Sequence, residues 1–461
     1  MMSGGQKHTL AVAMTTSFIT TFMGSALNLA VPNIEAEFRA GAASVGWIIS
    51  AYILSVSAFS VPLGRWSDIF GRRKMLVTGI ASFGIASLIA SFSTGIYMLI
   101  GGRVIQGISA AMIFSTNNAI LIAAFSNSER GSVLGKNVAS TYLGLSTGPV
   151  IGGILNSSLG WRSIFWVTSA IAFVGLLNAV FGLPKVDEDL EDSGFDKSGS
   201  AIFIGMIVCL IYGLTNLSIS KSSYLVLAVG IALFILFVMV EKRVKSPAIS
   251  LEMFTKDTVF TFSNVAAFFN YGATYAVGYL MSIYLQLVQG YSSRTAGLIL
   301  IFQPVIQVIL SPRMGKLSDR IYPGKIASVG MGICAFGLVL MMFLGKNTPF
   351  AFIIAALMIM GFGFAVFSSP NTNAIMSKVS YEDLGVANSI VATMRNLGQS
   401  SSMAILTIVI GLNLGNGSLK SATIGEMIST IKFSFMIFVV LCIMGMLMSL
   451  KRNSGAKRTE K

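Results

Sequence analysis

Few side chains in this sequence could carry acid–base, nucleophilic or metal chemistry, and where they fall is informative. The only histidine, His8, lies in the amino-terminal segment, and Cys209, Cys334 and Cys442 each sit in an apolar run with no second cysteine nearby. That spacing argues against a disulfide framework and against a zinc site. All 18 acids fall outside the middles of the apolar runs, whereas two arginines, Arg103 and Arg395, fall within them. An arginine in a bilayer is costly and is by default a functional candidate. No nucleophile stands beside a base and no Gly-x-x-x-x-Gly-Lys-Ser/Thr loop occurs. An embedded enzyme and direct use of ATP are therefore both disfavoured, and neither a metal nor an organic cofactor is expected.

The elements that must position these groups are membrane spans. Of the 461 residues, 54% are hydrophobic and 11% charged, with a mean hydropathy of +0.78. A soluble chain carries about 25% charged residues, and a spanning helix needs ~20 apolar residues. Runs bounded by Gly, Pro and charge give fourteen candidate spans: 10–32, 45–64, 75–93, 97–125, 132–155, 162–183, 199–218, 222–240, 258–286, 295–312, 324–344, 349–376, 385–412 and 429–450. The expected fold class is an all-α polytopic membrane protein. The first run follows Lys7 without a small-residue cleavage site, which reads as a retained helix. With the amino terminus inside, the inner loops and tails hold 23 of the 32 Lys and Arg and the outer loops 7. Both termini are thus expected in the cytoplasm and the chain in the cell membrane. The net charge of +14 is largely this asymmetry, so no nucleic acid is implied. The tail Lys451, Arg452, Lys457, Arg458 and Lys461 reads either as lying on anionic lipid or as a solvated end. The acidic segment from Pro184 to Ser198 reads as a solvated linker.

An internal repeat organises the spans. Gly64-Arg65-Trp66-Ser67-Asp68 matches Gly315-Lys316-Leu317-Ser318-Asp319 at an offset of 251 residues. Glu129-Arg130-Gly131, followed by Gly144, matches Glu382-Asp383-Leu384-Gly385, followed by Gly398, at 253 to 254. Two segments in order at nearly one offset suggest homologous six-span halves, with spans seven and eight as an inserted pair. The expected domains are residues 1–184, 185–257 (acidic linker, inserted pair and following loop), 258–450 and the tail 451–461. Repeated bundles with a site between them at mid-depth are the architecture of rocking transporters.

The motifs narrow this further. Gly64 to Lys74, with Asp68, Gly71, Arg72 and Arg73, combines turn-forming glycines, an aspartate able to sit at a helix's positive end, and a basic cluster that holds the loop inside. This loop resembles the signature of the major facilitator superfamily. Arg103, Gln106, Gly107, Ala110 and Ala111 resemble its fourth-span motif, and Gly144, Gly148, Pro149, Gly152 and Gly153 its antiporter motif in span five. Trp47, Ala51, Tyr52 and Leu54, Gly160-Trp161-Arg162, Tyr284-Leu285-Gln286 with Gly290-Tyr291-Ser292, Ala296-Gly297 with Pro304, and Arg395-Asn396-Leu397-Gly398 resemble its fourteen-span drug:proton antiporter branch. The resemblance implies two six-helix bundles plus two central helices, exporting hydrophobic or amphipathic small molecules by alternating access. It implies a conformational switch in which Asp68 caps span thirteen near Gly385 and Asp319, beside Gly315, caps span five near Gly131. The partners it implies are a small-molecule substrate, a coupling ion (a proton) and membrane lipids, the chain acting as a monomer. Uptake or facilitated transport of a metabolite or lipid-like molecule is the alternative.

One departure bears on coupling. The branch commonly carries an aspartate five residues before the Asn of Asn-x-Ala-x-Pro. Here that segment is Asn28-Leu29-Ala30-Val31-Pro32, and the position is Met23. A buried carboxyl is the usual proton carrier, so only Asp68, Asp319 and Glu129, at inner helix ends, are left for that role. Phe268, Tyr271, Tyr275 and Tyr279 fall three and four apart, on one helical face. With Asn28, Asn117, Asn118, Asn270, Gln303 and Gln307 they are expected to line an uncharged, amphipathic pathway. Arg103 and Arg395 would bias it toward neutral or anionic compounds. Packing is the competing reading for the aromatic stripe, for the small residues of span five and for Arg103, which carbonyls and Gln106 could hold. Arg395 aligns with Thr141 in the repeat, so only one half carries it.

Overall fold

The computed structural model describes every residue except 1, 28–29, 40–41, 127, 185–194, 217–221, 245–246, 248, 250–251, 292, 381–382, 415–422 and 460–461. All regular structure among the described residues is helical, with no strand among them. The first half contains α1 (Gly4–Ala26), α2 (Val31–Phe38), α3 (Ala42–Phe70), α4 (Arg72–Ser91), α5 (Ile96–Ala124), α6 (Arg130–Leu159) and α7 (Arg162–Gly182). Then come α8 (Lys197–Asn216), α9 (Ser222–Glu241) and the short α10 (Glu252–Lys256). The second half contains α11 (Thr258–Thr274), α12 (Val277–Ile283) and a π segment (Tyr284–Val288), followed by α13 (Ser293–Leu300) and α14 (Phe302–Ser318). It closes with α15 (Pro323–Met342), α16 (Phe350–Met376), α17 (Leu384–Leu414) and α18 (Ile424–Thr459).

Among the described residues, twelve helices are long and apolar enough to cross a membrane, against the fourteen spans expected. The two differences have physical causes. Expected span nine is broken at Tyr275 and Ala276, so α11 is only 17 residues long. Ser402 Oγ accepts the Ala276 N–H at 3.1 Å, satisfying an amide freed by the break. Expected span thirteen, α17, has the length but is diluted by Asn388, Arg395, Asn396, Gln399 and four serines.

Side-chain caps and apolar faces account for the rest. Ser3 and Gln6 form a capping box that starts α1, and Asp257 accepts the Val259 and Phe260 N–H groups at the start of α11. In the first half α1 packs on α5, α6 and α7, and α5 on α3 and α4, around Ile19, Phe22, Phe83 and Phe165. In the second, α15 packs on α16 and α18, and α11 on α17 and α18, around Met331, Leu338, Phe367 and Phe435. The halves meet along two seams, α6 against α14 and α3 against α17. The pair α8 and α9 packs mainly on itself, with α8 also touching α3 and α17. Arg452, expected in the basic tail, is instead fully buried at the end of α18. It donates to Ser263 Oγ (2.6 Å), Asn371 Oδ1 (2.7 Å) and Gly324 O (2.9 Å). The reason is that α18 continues past the apolar run, which carries Arg452 between α11, α15 and α16.

Candidate functional site

At one end of the bundle, here the latch end, the backbones of the two halves touch at two places. A Cβ on Gly64 would lie 2.2 Å from Ser389 Oγ and 2.8 Å from Gly385 O, and one on Gly131 would lie 2.3 Å from Gly315 O. Only glycine permits such approach. Each repeat motif docks on the other half. Asp319 receives the N–H of Gly131 on Oδ1 (2.6 Å) and of Ser132 on Oδ2 (3.0 Å), at the start of α6. Asp68 receives the Val386 N–H at the start of α17, and Arg72 pairs with its Oδ1 at 2.9 Å. Carboxylates at helix N-termini are stabilised by the unpaired amides and dipole there. For Asp319, burial outweighs these donors and raises its carboxyl above the ordinary range, with Glu129 adding to the rise. Gly71 begins α4 with φ 106°, a region that favours glycine, and Arg73 donates to Val180 O of α7 at 2.8 Å. The expected switch residues are thus gathered at one end.

Further along the seam lies a cavity of about 300 Å³ lined from both halves. Thr20, Tyr52, Phe114 and Tyr142 face Tyr271, Tyr275, Gln303, Gln307 and Phe364. From α17 come Arg395, Asn396 and Gln399. Among the described residues Arg395 is the one charged side chain in the lining, and its guanidinium carbon sits 5.0 Å from the centroid of the Phe114 ring. Asn396 Nδ2 is buried with no hydrogen-bond partner among the described residues, which leaves a donor for a ligand. The Tyr142 and Tyr271 rings meet Phe364 edge-on, each with centroids 5.4 Å apart. Thr141, the repeat counterpart of Arg395, also lines the cavity.

Between cavity and latch, a smaller space of about 60 Å³ is crossed by a chain of amides. Asn117 donates to Ser17 (2.7 Å), Ser17 to Asn137 (2.8 Å), Asn137 to Asn118 (2.9 Å) and Asn118 to Asn388 (2.7 Å). Asn388 in turn donates to Phe114 O. Tyr142 adds a bond to Ser368 at 3.3 Å. These bonds link the halves across the floor of the cavity.

Several expected site residues lie elsewhere. Asn28 is outside the described residues. Phe268 packs on Phe269 and Tyr279 is 45% exposed; on this stretch the cavity is lined by Tyr271, Thr274, Tyr275 and Gly278, and the two ends of the stripe fall outside it. Met23 is buried in the first half, where Thr168 Oγ1 donates to its sulfur at 3.4 Å. Arg103 is fully buried off the cavity, donating to Ile48 O (2.9 Å) and Gln106 Oε1 (2.8 Å), with its guanidinium 4.3 Å from the Tyr52 ring centroid. It reaches the site only through Tyr52, whose hydroxyl donates to Thr20 O at 2.9 Å. On α6, a Cβ at Gly144, Gly148 or Gly152 would clash with Phe18, Ser25 or Ala26 of α1. These glycines set a close α1–α6 seam, and Pro149 and Gly153 are half-buried beside it. Tyr52, Tyr142, Phe364 and Gln399 line the cavity without a spacing signal that marks them as a group. The available signal for Gln399 was the polar face of α17, where Asn388, Arg395 and Gln399 recur at helical spacing.

Comparison with known proteins agrees with this architecture. The family model "Major Facilitator Superfamily" matches residues 13–403 and 264–461, and the chain belongs to that family. It is 29% identical over 436 residues to the riboflavin transporter RibZ of Clostridioides difficile (strain 630), covering 94% of each chain. It is 29% identical over 395 residues to the multidrug resistance protein Stp of Mycobacterium tuberculosis (strain CDC 1551 / Oshkosh), covering 83% of this chain and 72% of that one. Among solved structures, the proton:xylose symporter XylE superposes with a TM-score of 0.70 at 15% identity, covering 98% of this chain and 96% of the other. The human organic anion transporter MFSD10 gives 0.68 at 16%, covering 95% and 99%. At such identities these two establish the fold. The chain is a multi-pass membrane transporter of this superfamily.

Proposed function

We propose that this transporter exports uncharged or anionic amphipathic small molecules by alternating access, with the cavity around Arg395 as the binding site. The observation that carries the reading is the lining: among the described residues it holds one cation, several amides and a wall of aromatic rings, with no carboxylate to neutralise a cationic ligand. Planar rings stack on Tyr and Phe, and a guanidinium favours carboxylate or carbonyl oxygens. The latch end faces the cytoplasm, since it carries Arg65, Arg72, Arg73 and Lys74. With that end closed, the cavity belongs to the outward-facing conformation. The interrupted helix Thr258–Val288 and α17 also cross the membrane, giving fourteen spans with both termini inside. The coupling ion is a proton, taken up and released at Asp68 and Asp319 as the latch closes and opens. Multidrug relatives such as Stp support the export reading.

A second reading, transport of a flavin-like metabolite, is supported by the likeness to RibZ over 94% of both chains. Reconstitution in vesicles separates the alternatives. An imposed pH gradient and an imposed sodium gradient are applied separately to a panel of anionic, uncharged and cationic aromatic compounds, riboflavin included. The proposal requires transport driven by the pH gradient, selective for anionic or uncharged members and reduced in Asp68→Asn and Asp319→Asn. Sodium-driven transport, or transport confined to cations, would overturn it.

A further inference from the structure

A second concave surface lies on the outer flank of the second half, along the seam between α15 and α18. It is a groove of about 660 Å³ walled by Val329, Ile333, Phe336, Met446 and Leu450, with Lys325 and Ser328 at one end. From its position and charge we infer that this groove is a binding site for one anionic phospholipid, an acyl chain lying along the seam and the phosphate at Lys325.

Three observations carry the assignment. The first is length: eleven residues separate Lys325 from Phe336, roughly 16 Å of helix rise, and one leaflet of a ~30 Å hydrocarbon core is roughly 15 Å deep. The groove therefore spans one leaflet, with its polar end at the membrane surface. Charge is the second. Lys325 is exposed and makes no ion pair among the described residues. Its helix α15 contains no acid, and the acid of α18, Glu426, stands at the opposite end of that helix. The third is rigidity. The floor below Lys325 is fixed by Ser328 Oγ and Ser449 Oγ at 2.6 Å and by Arg452 donating to Gly324 O at 2.9 Å, all four residues being buried. Arg452 thus holds α18 against α15 and keeps the groove preformed. Gly332 gives the groove its depth, and a Cβ placed there would meet only Met446 Sδ, at 3.4 Å, an ordinary contact.

The last observation supplies a clean variant, because Gly332→Leu fills the groove without a backbone clash. Wild type, Gly332→Leu and Lys325→Glu are reconstituted in nanodiscs of equimolar phosphatidylglycerol and phosphatidylcholine, and retained lipid is counted by native mass spectrometry. One basic residue near the surface favours anionic lipid by about fivefold. Wild type should therefore retain one lipid with about a fivefold preference for phosphatidylglycerol. Lys325→Glu should lose the preference, and Gly332→Leu the lipid, with an unchanged melting temperature. Equal retention of the two lipids by wild type, or phosphatidylglycerol retention by both variants at the wild-type level, would overturn the assignment.

Discussion

Asp319 Oδ1 lies 2.6 Å from the amide nitrogen of Gly131, a bond that joins the two halves across 188 residues of sequence. The contact can form only while the latch end is closed. Burial raises the Asp319 carboxyl there, and the proposed mechanism accordingly has the latch take up a proton as it closes. The sign follows: the closed state binds more protons than an open state in which Asp319 is solvated near the ordinary value of about 3.9. Lowering the pH through the raised value should therefore increase the closed fraction, the change levelling off about one unit below 3.9. Distance measurements between labels across the latch end should show this, and Asp319→Asn should weaken the dependence. A closed fraction that falls on acidification would contradict the coupling.

Gly315→Ala should open the latch without unfolding the bundle. Its Cβ would stand 2.1 Å from Gly131 O, a backbone atom that cannot rotate away. The expected outcome is faster thiol labelling, from the latch side, of a cysteine placed at Asn388, with the helical signal retained. Labelling at the wild-type rate would mean that backbone contact does not hold this end shut.

At the opposite end, Glu37 accepts from Trp161 Nε1 (2.7 Å) and pairs with Arg162 (2.7 Å), tying α2 to the start of α7. Burial opposes ionisation of Glu37, but the bonds from Trp161 and Arg162 prevail and lower its carboxyl. A lowered carboxylate contributes stability above its unfolded value of about 4.3, lost as pH falls through the folded one. Both side chains are partly exposed, 32% for Arg162 and 41% for Glu37, so Glu37→Gln should cost less than about 1 kcal/mol at pH 7. Thermal unfolding at pH 7 and at pH 3 tests this: the difference between wild type and variant should be smaller at the lower pH.

Arg452→Ala should be far more damaging, although the residue lies beyond the last apolar run. It would strip partners from Ser263, Asn371 and Gly324 in a dry environment. Each buried group left unsatisfied costs ~1–3 kcal/mol, so a loss of at least about 2 kcal/mol is expected. Chemical denaturation in mixed micelles would measure it. Lys451→Ala, at an exposed position, is the matched comparison and should be near neutral.

The latch was legible in the sequence because it is local and repeated: Gly64 to Asp68 and Gly315 to Asp319 announce each other at a single offset. The cavity was legible only in part. Tyr271, Tyr275, Gln303, Gln307 and Arg395 were found through polarity within apolar runs. Tyr279 and Phe268 share the helical spacing but lie at the ends of a stripe longer than the cavity, which Tyr271, Thr274, Tyr275 and Gly278 line on this stretch. Arg103 and Arg395 look alike in one dimension, each a cation in an apolar run. One faces the seam and the other the interior of its own bundle, a difference set by helix rotation that no spacing encodes. Arg452 was read as tail because apolar runs mark where the bilayer ends, whereas the helix and its polar clamp continue beyond it.

Arg395 is proposed to select the cargo. The most direct test is equilibrium binding of a matched anionic and cationic pair of planar aromatic dyes to purified wild type and Arg395→Ala. A hydrogen bond between charged partners is worth ~1.5–3 kcal/mol, so the variant should bind the anionic dye at least about tenfold more weakly and leave the cationic dye no weaker. Binding confined to the cationic dye, unchanged by Arg395→Ala, would contradict the account.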